Sequence, residues 1–275
     1  MIPVLPLILG GDDLFVLIPA PYALDFARRF CLKWEDQMRN LVQEVGLTDV
    51  SSPTVAAAVV ICKSKYPYGL AHRRAEELLK EAKRQCKLLA AERGEHLSAV
   101  NFEVILGNRL AGLEDKDGQA NRVIRTTLRP YWVASEGLST NAQQRGVDLK
   151  QLLTQRLALK DIPNKRLVEL RRCFEDLPPH MTVQDRGQKL EDWTDRKLGR
   201  ILSRLDQSYR SAVEAALQAL GKPKDDGNGN HHWRRISGGD GDLLAHGMLD
   251  LLEVWDFAQN LCHGPDEYEP QEEEA

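Results

Sequence analysis

The chain has 275 residues, with 37 Lys and Arg against 41 Asp and Glu, a formal charge of −4 and 42% hydrophobic residues. This is a globular composition, and it excludes collagen-like, disordered and membrane-spanning classes. The length allows one large domain or two modest ones, and two is the expectation.

Residues Val4 to Leu9 and Leu14 to Ile18 are apolar, branched-rich runs separated by Gly10-Gly11-Asp12-Asp13. That pattern predicts a β-hairpin with a glycine-bearing turn. The apolar start MIPVLPLIL lacks a basic leader and meets this turn at once, so it reads neither as a signal peptide nor as a spanning helix, and a cytoplasmic location is expected. Pro19 and Pro21 end the second strand, and Leu24, Ala27, Cys31, Trp34, Met38 and Leu41 then recur at helical spacing, predicting a helix from about Tyr22 to Val45. The run from Val55 to Cys62 has no polar face and reads as a central strand covered on both sides. After Lys63-Ser64-Lys65-Tyr66-Pro67, the spacing of Ala71, Ala75, Leu78, Ala82, Cys86 and Leu89 predicts a second long helix ending near Gly94. Val100, Phe102 and Val104 alternate with Asn101 and Glu103 as a half-buried strand.

From Asn108 onward the spacing becomes helical, through Leu152, Leu157, Leu167, Leu170, Phe174, Ile201, Leu205, Ala212 and Ala216, with a last helix expected over Leu243 to Leu261. The expected organisation is a domain over 1–107, a helical domain over 108–265 and an acidic tail over 266–275. The five cysteines (Cys31, Cys62, Cys86, Cys173, Cys262) are odd in number and widely spaced, which suits reduced core thiols.

Charge is polarised along the chain. From Asn121 to Arg172 there are eleven Lys and Arg against four acids, while Ile236 to Ala275 holds eleven acids and no Lys or Arg. Such asymmetry suits an anionic partner such as RNA, mutual attraction between the two stretches, or simply solvated helix faces with an acidic tail. Trp132, Trp193, Trp233 and Trp255 suit base stacking or core packing alike. His231, His232, Asp240, Asp242 and His246 are metal-competent types at a spacing that matches no ligand motif, so Asp240 or Asp242 reads better as a helix cap. Gly238-Gly239-Asp240 repeats the first turn, but no apolar strand precedes it, and it is not read as a second catalytic hairpin.

Two features carry chemistry. A Gly-Gly-Asp-Asp turn lets phosphates or a metal approach the backbone, and Asp12 and Asp13 offer hard oxygen ligands for Mg²⁺; the same residues are also ordinary turn formers. Opposite the apolar stripe of the second helix, Lys80, Lys83, Arg84 and Lys87 share a face, as a triphosphate site requires, although Glu76, Glu77 and Glu81 would equally balance a solvated face.

Together LILGGDDLFVLIP and VVICKSKYPYGLAHRRAEELLKEAKR resemble the second palm domain of the large polymerase/cyclase subunit of type III CRISPR effector complexes and, more distantly, GGDEF-type diguanylate cyclases. The resemblance covers roughly Met1 to Gly107. It implies an α+β fold, a palm/ferredoxin-like partial domain followed by a mainly helical one, that binds ATP with Mg²⁺ or Mn²⁺ and makes cyclic oligoadenylate for antiviral defence. Carried over, Gly10 and Gly11 form the phosphate-approaching turn, Asp12 and Asp13 bind metal, and Lys83, with Arg84 as a second candidate, contacts the triphosphate. Palms of this type carry a further acid-bearing strand and two helices before the hairpin, whereas Met1 lies at the hairpin here, and no HD dipeptide of the associated nuclease domain is present. The expectation is therefore a nucleotide-binding palm that needs a completing segment or partner subunit. A noncatalytic palm scaffold and an RNA-binding subunit are the alternatives.

Overall fold

The computed structural model describes residues 4–11, 13–47, 51–105, 127–135, 137–175, 186–221, 233–238 and 241–258. Strands β1 (Leu5–Gly10) and β2 (Asp13–Leu17) form an antiparallel hairpin, with Gly10 opposite Asp13 and the register shifting between Pro6 and Ile8. Helix α1 (Ala20–Glu44) follows, with Pro21 inside its first turn, where a missing N–H costs nothing. Strand β3 (Ala56–Cys62), helix α2 (Tyr68–Arg93) and strand β4 (Ser98–Ile105) form a parallel βαβ unit. Gly94 closes α2 at φ +66°, its N–H donating to the Ala90 carbonyl at 2.9 Å; this left-handed cap suits glycine, which lacks a Cβ.

Strand β5 (Tyr131–Val133) joins the other side of β4 antiparallel, so the sheet order is β3-β4-β5. The fold is α+β, with a small mixed sheet and several helices. Strand β3 is thus an edge strand among the described residues rather than the expected central one. Its apolar run is explained by helices α1 and α2, which both pack on it. Strand β4 takes the centre and is more buried than its alternating pattern suggests, because both of its faces are covered. Val100, Phe102 and Val104 enter the main core with Leu24, Ala27 and Cys31 of α1, while Ala99 packs with Ala82 and Leu89 of α2. The polar residues on that second face are tied down. Asn101 donates to the Leu78 carbonyl at 3.2 Å and to Glu81 at 2.9 Å, and Glu103 pairs with Arg74.

Helices α3 (Thr140–Arg145), α4 (Leu149–Ala158), α5 (Asn164–Glu175), α6 (Arg186–Leu202) and α7 (Gln207–Ala219) follow, in line with the helical spacing of the sequence. The expected helix over Leu243 to Leu261 is replaced by a second hairpin, β6 (Arg234–Gly238) and β7 (Gly241–Ala245), and a short helix α8 (Met248–Glu253) capped by Gly247 rather than by Asp240 or Asp242. A strand therefore does precede Gly238. Its Arg234-Arg235 start hides it from a search for apolar runs, and the cross-strand ladder with β7 supplies what composition lacks. The expected boundary at 107 and the tail over 266–275 lie outside the described residues. On either side of that gap, β4 and β5 share a sheet, and α1, α4, α5 and α8 share one hydrophobic core.

Candidate functional site

The GGDD turn sits at the tip of the β1–β2 hairpin. Gly11 has φ +60°, a conformation that favours glycine, and a Cβ added at Gly10 or Gly11 would meet nothing within 4 Å. The backbone there is open to an approaching group. Asp13 is exposed, and Asp12 lies outside the described residues. Among the described residues no cluster of three or more His, Cys, Asp or Glu forms a metal cage, and the Asp13 carboxylate is of the type that suits a hard cation.

The hairpin is not hydrogen-bonded into the main sheet. Its side-chain anchor is Phe15 on β2, whose ring meets Tyr68 at 5.9 Å and His72 at 5.1 Å, edge-on to both. Tyr68 and His72 are one turn apart on α2, so the hairpin rests against the first turn of that helix. No side chain caps this turn, since Pro67 occupies the cap position, and the positive end of the helix is left beside the hairpin. Sequence reasoning missed this aromatic contact. The available signal was the i, i+4 spacing of two rings just after the KYP step.

Lys83 and Arg84 lie on the exposed side of α2, away from Leu78, Ala82 and Leu89, as their spacing predicts. Lys83 is fifteen residues beyond Tyr68, about 22 Å along a helix at 1.5 Å per residue. No hydrogen bond or ion pair links Asp13 to Lys83 or Arg84 in this structure. Arg84 instead lines a small groove of about 230 Å³ with Glu81, Gln85 and Pro130.

The basic stretch is partly spent inside the molecule. Arg129 pairs with Asp250 at 2.7 Å and with Glu253, Arg156 donates to the Trp255 carbonyl at 2.9 Å and stacks over its ring, and Arg171 donates to the Leu252 carbonyl. These are contacts between the basic and acidic stretches, so attraction within the chain absorbs part of the asymmetry. Trp132 and Trp233 are core residues, 0% and 1% exposed. His246 is also in the core, against Phe174 and Trp233, and its Nδ1 accepts the Met248 N–H at 3.0 Å. His231, His232 and Asp240 fall outside the described residues. Cys31, Cys62, Cys86 and Cys173 are free thiols, and burial pushes Cys31 up to about 12 and Cys86 up to about 11, which keeps both protonated.

No helix among the described residues is long and apolar enough to cross a membrane. No curated protein and no solved structure matches the chain. Residues 4–88 match the family model described as Cas10/Cmr2, second palm domain, a span that runs from β1 into α2 and takes in the GGDD turn, Phe15, Lys83 and Arg84. That segment is thus similar to the second palm domain of the Cas10/Cmr2 type, in line with the resemblance carried by its GGDD and KYP stretches.

Proposed function

We propose that the chain binds ATP with Mg²⁺ or Mn²⁺ at the GGDD turn and serves antiviral defence as a cyclic-oligoadenylate-synthase-like palm. The observation that carries this reading is the open glycine backbone beside exposed Asp13, inside the segment that matches the palm family. In the proposed site Gly10 and Gly11 admit phosphates, Asp12 and Asp13 hold the ion, and Lys83 and Arg84 supply positive charge. Two-metal phosphoryl transfer takes acids from more than one element, so the proposed site draws a further acid from a completing segment or partner subunit. The test is calorimetric titration with Mg-ATP. Wild-type protein is expected to bind, the Asp12→Ala/Asp13→Ala double variant to lose binding, and radiolabelled ATP to be converted to oligoadenylate only when the completing element is supplied. Wild-type affinity in the double variant refutes the site.

A noncatalytic scaffold is the second reading, favoured by the apolar surface of the same hairpin. Leu5, Ile8 and Leu9 are 59%, 47% and 81% exposed. Exposed apolar strands suit a protein contact. Under this reading Mg-ATP gives no heat while a partner subunit still binds.

A further inference from the structure

A second cavity, remote in sequence from the matched palm segment, lies between the α3–α4 junction, α7 and the start of β6. It has a volume of about 540 Å³, within the range of small-molecule sites, and its walls include Gln143, Asp148, Lys150, Gln151, Gln218 and Arg234. Arg234 is 7% exposed and makes no contact with a carboxylate among the described residues. Its Nε donates to the Gly221 carbonyl at 2.7 Å, and its Nη1 donates to the carbonyls of Gln143 and Gly146, the latter at 3.1 Å. Peptide carbonyls orient the guanidinium without cancelling its charge. Burial lowers it to about 10, with only Tyr131 acting the other way.

The one acid on the wall does not neutralise it. The Asp148 carboxylate caps α4 by accepting the Lys150 N–H at 2.7 Å, and it already faces the charges of Arg28 and Lys150. Among the described residues the cavity therefore holds a buried guanidinium that is fixed in direction by carbonyls and meets no carboxylate, with Lys150 on the same wall. Gln151 and Gln218 carry both donors and acceptors on the wall, while Gln143, whose Nε2 donates to the Leu138 carbonyl at 2.9 Å, offers its amide oxygen. A guanidinium presented in this way suits the oxygens of a phosphate, and the amides suit a sugar or base edge. Gly146 helps to shape the wall, because a Cβ there would stand 2.7 Å from Trp132 Nε1 and push the Arg234-accepting carbonyl away.

We propose that this cavity binds a phosphate-bearing small molecule of mononucleotide size, with Arg234 and Lys150 holding the phosphate and Gln143, Gln151 and Gln218 the remainder. The site is separate from the GGDD turn and needs no divalent ion.

The test is calorimetry on the full chain in EDTA, with inorganic phosphate, ribose 5-phosphate and AMP as probes. Wild-type protein is expected to bind the two organic phosphates more tightly than inorganic phosphate. Two variants at accessible positions, Lys150→Glu, which removes a charge-assisted hydrogen bond, and Gln218→Trp, which fills the cavity with an indole, are each expected to weaken binding by about tenfold or more, with melting unchanged. Asp13→Ala is expected to bind as wild type. Arg234→Gln should abolish binding, and where it fails to fold the other two variants still decide. No heat with any probe, undiminished binding in both Lys150→Glu and Gln218→Trp, or equal affinity for inorganic phosphate and AMP overturns the proposal. Failure of Mg-ATP at the hairpin leaves it standing, because these titrations contain no free Mg²⁺.

Discussion

Arg129 and Asp250 are 121 residues apart in the chain, yet the guanidinium Nε stands 2.7 Å from the Asp250 carboxylate, whose side chain is 0% exposed. The same carboxylate accepts the Leu128 N–H at 2.8 Å and the Tyr131 hydroxyl at 2.8 Å, while Arg129 also donates to the Phe102 carbonyl at 2.7 Å. Burial, and then the Asp250 charge, hold the Tyr131 hydroxyl protonated well above its ordinary range. This network ties α8 to β4 and β5, joining the three-stranded sheet to the last described helix.

Removing Asp250 should therefore be severe. Asp250→Ala takes the acceptor from the Tyr131 hydroxyl and the Leu128 N–H and leaves the buried Arg129 guanidinium with Glu253 as its carboxylate, so the cost falls at the lower end of the about 3–5 kcal/mol of breaking a buried pair from one side. Urea titration is expected to show a loss of that size with the slope unchanged. A midpoint within error of wild type would mean that the network holds nothing together.

Glu35 gives a pH dependence of defined sign. It is buried on α1 and accepts the Ser98 N–H at 3.2 Å; burial raises its carboxyl above the ordinary 4.5, with the Ser98 hydrogen bonds opposing. The native state thus holds the proton more tightly than the unfolded chain. The stabilising contribution of protonation is complete below 4.5 and is lost as pH rises through the elevated native value. Glu35→Gln keeps an acceptor for Ser98 and removes the ionisation, so the variant is expected to be at least as stable as wild type at pH 7 and to gain less on acidification through this window. Parallel urea titrations at several pH values check it. An unchanged pH profile would contradict it.

The elements of the palm segment were legible because each has a strong local signal. Glycines mark the turn, Pro19 and Pro21 the start of α1, and Gly94 the end of α2. What the sequence did not disclose depends on distant partners. Strand β3 reads as central from its apolar run, but edge or centre is decided by whether a neighbour pairs, and β5 pairs with β4 instead. Strand β6 begins with Arg234-Arg235, and Arg234 is buried only because carbonyls from the α3–α4 junction and the end of α7 receive it. At the candidate site the turn and the basic face of α2 were both readable. Their separation along α2, set by Phe15 on Tyr68 and His72, was not, because the i, i+4 spacing of the two rings marks a face of α2 without naming the distant residue that packs on it.

If the basic face of α2 serves the triphosphate, charge reversal there should matter more than charge reversal elsewhere. Lys83 and Lys165 are both exposed, but only Lys83 lies on the helix against which the hairpin rests. Lys83→Glu is expected to weaken Mg-ATP binding by about tenfold or more, and Lys165→Glu by little, since an isolated exposed charge acts weakly at range in physiological salt. Calorimetry on both variants checks this, and equal losses would indicate a general field rather than a defined site.

Strands β1 and β2 bond to each other and not to the main sheet, and much of their apolar surface faces outward. Their edge-on contact with Tyr68 and His72 runs through one ring, Phe15. An isolated two-stranded hairpin is marginal in water, so its position depends on that anchor. Phe15→Ala should release the hairpin from α2 while sparing the core formed by α1, β3, β4 and the later helices, in which Phe15 takes no part. The expected result is rapid proteolytic cleavage within the first twenty residues with an essentially unchanged melting transition. Leu9→Ser, at a position 81% exposed, is the control, and it should alter neither cleavage nor melting because it removes no internal contact. Because the GGDD turn is carried at the hairpin tip, Phe15→Ala should also weaken Mg-ATP binding where Leu9→Ser does not. A cleavage pattern identical to wild type in Phe15→Ala would show that something other than this aromatic contact fixes the turn.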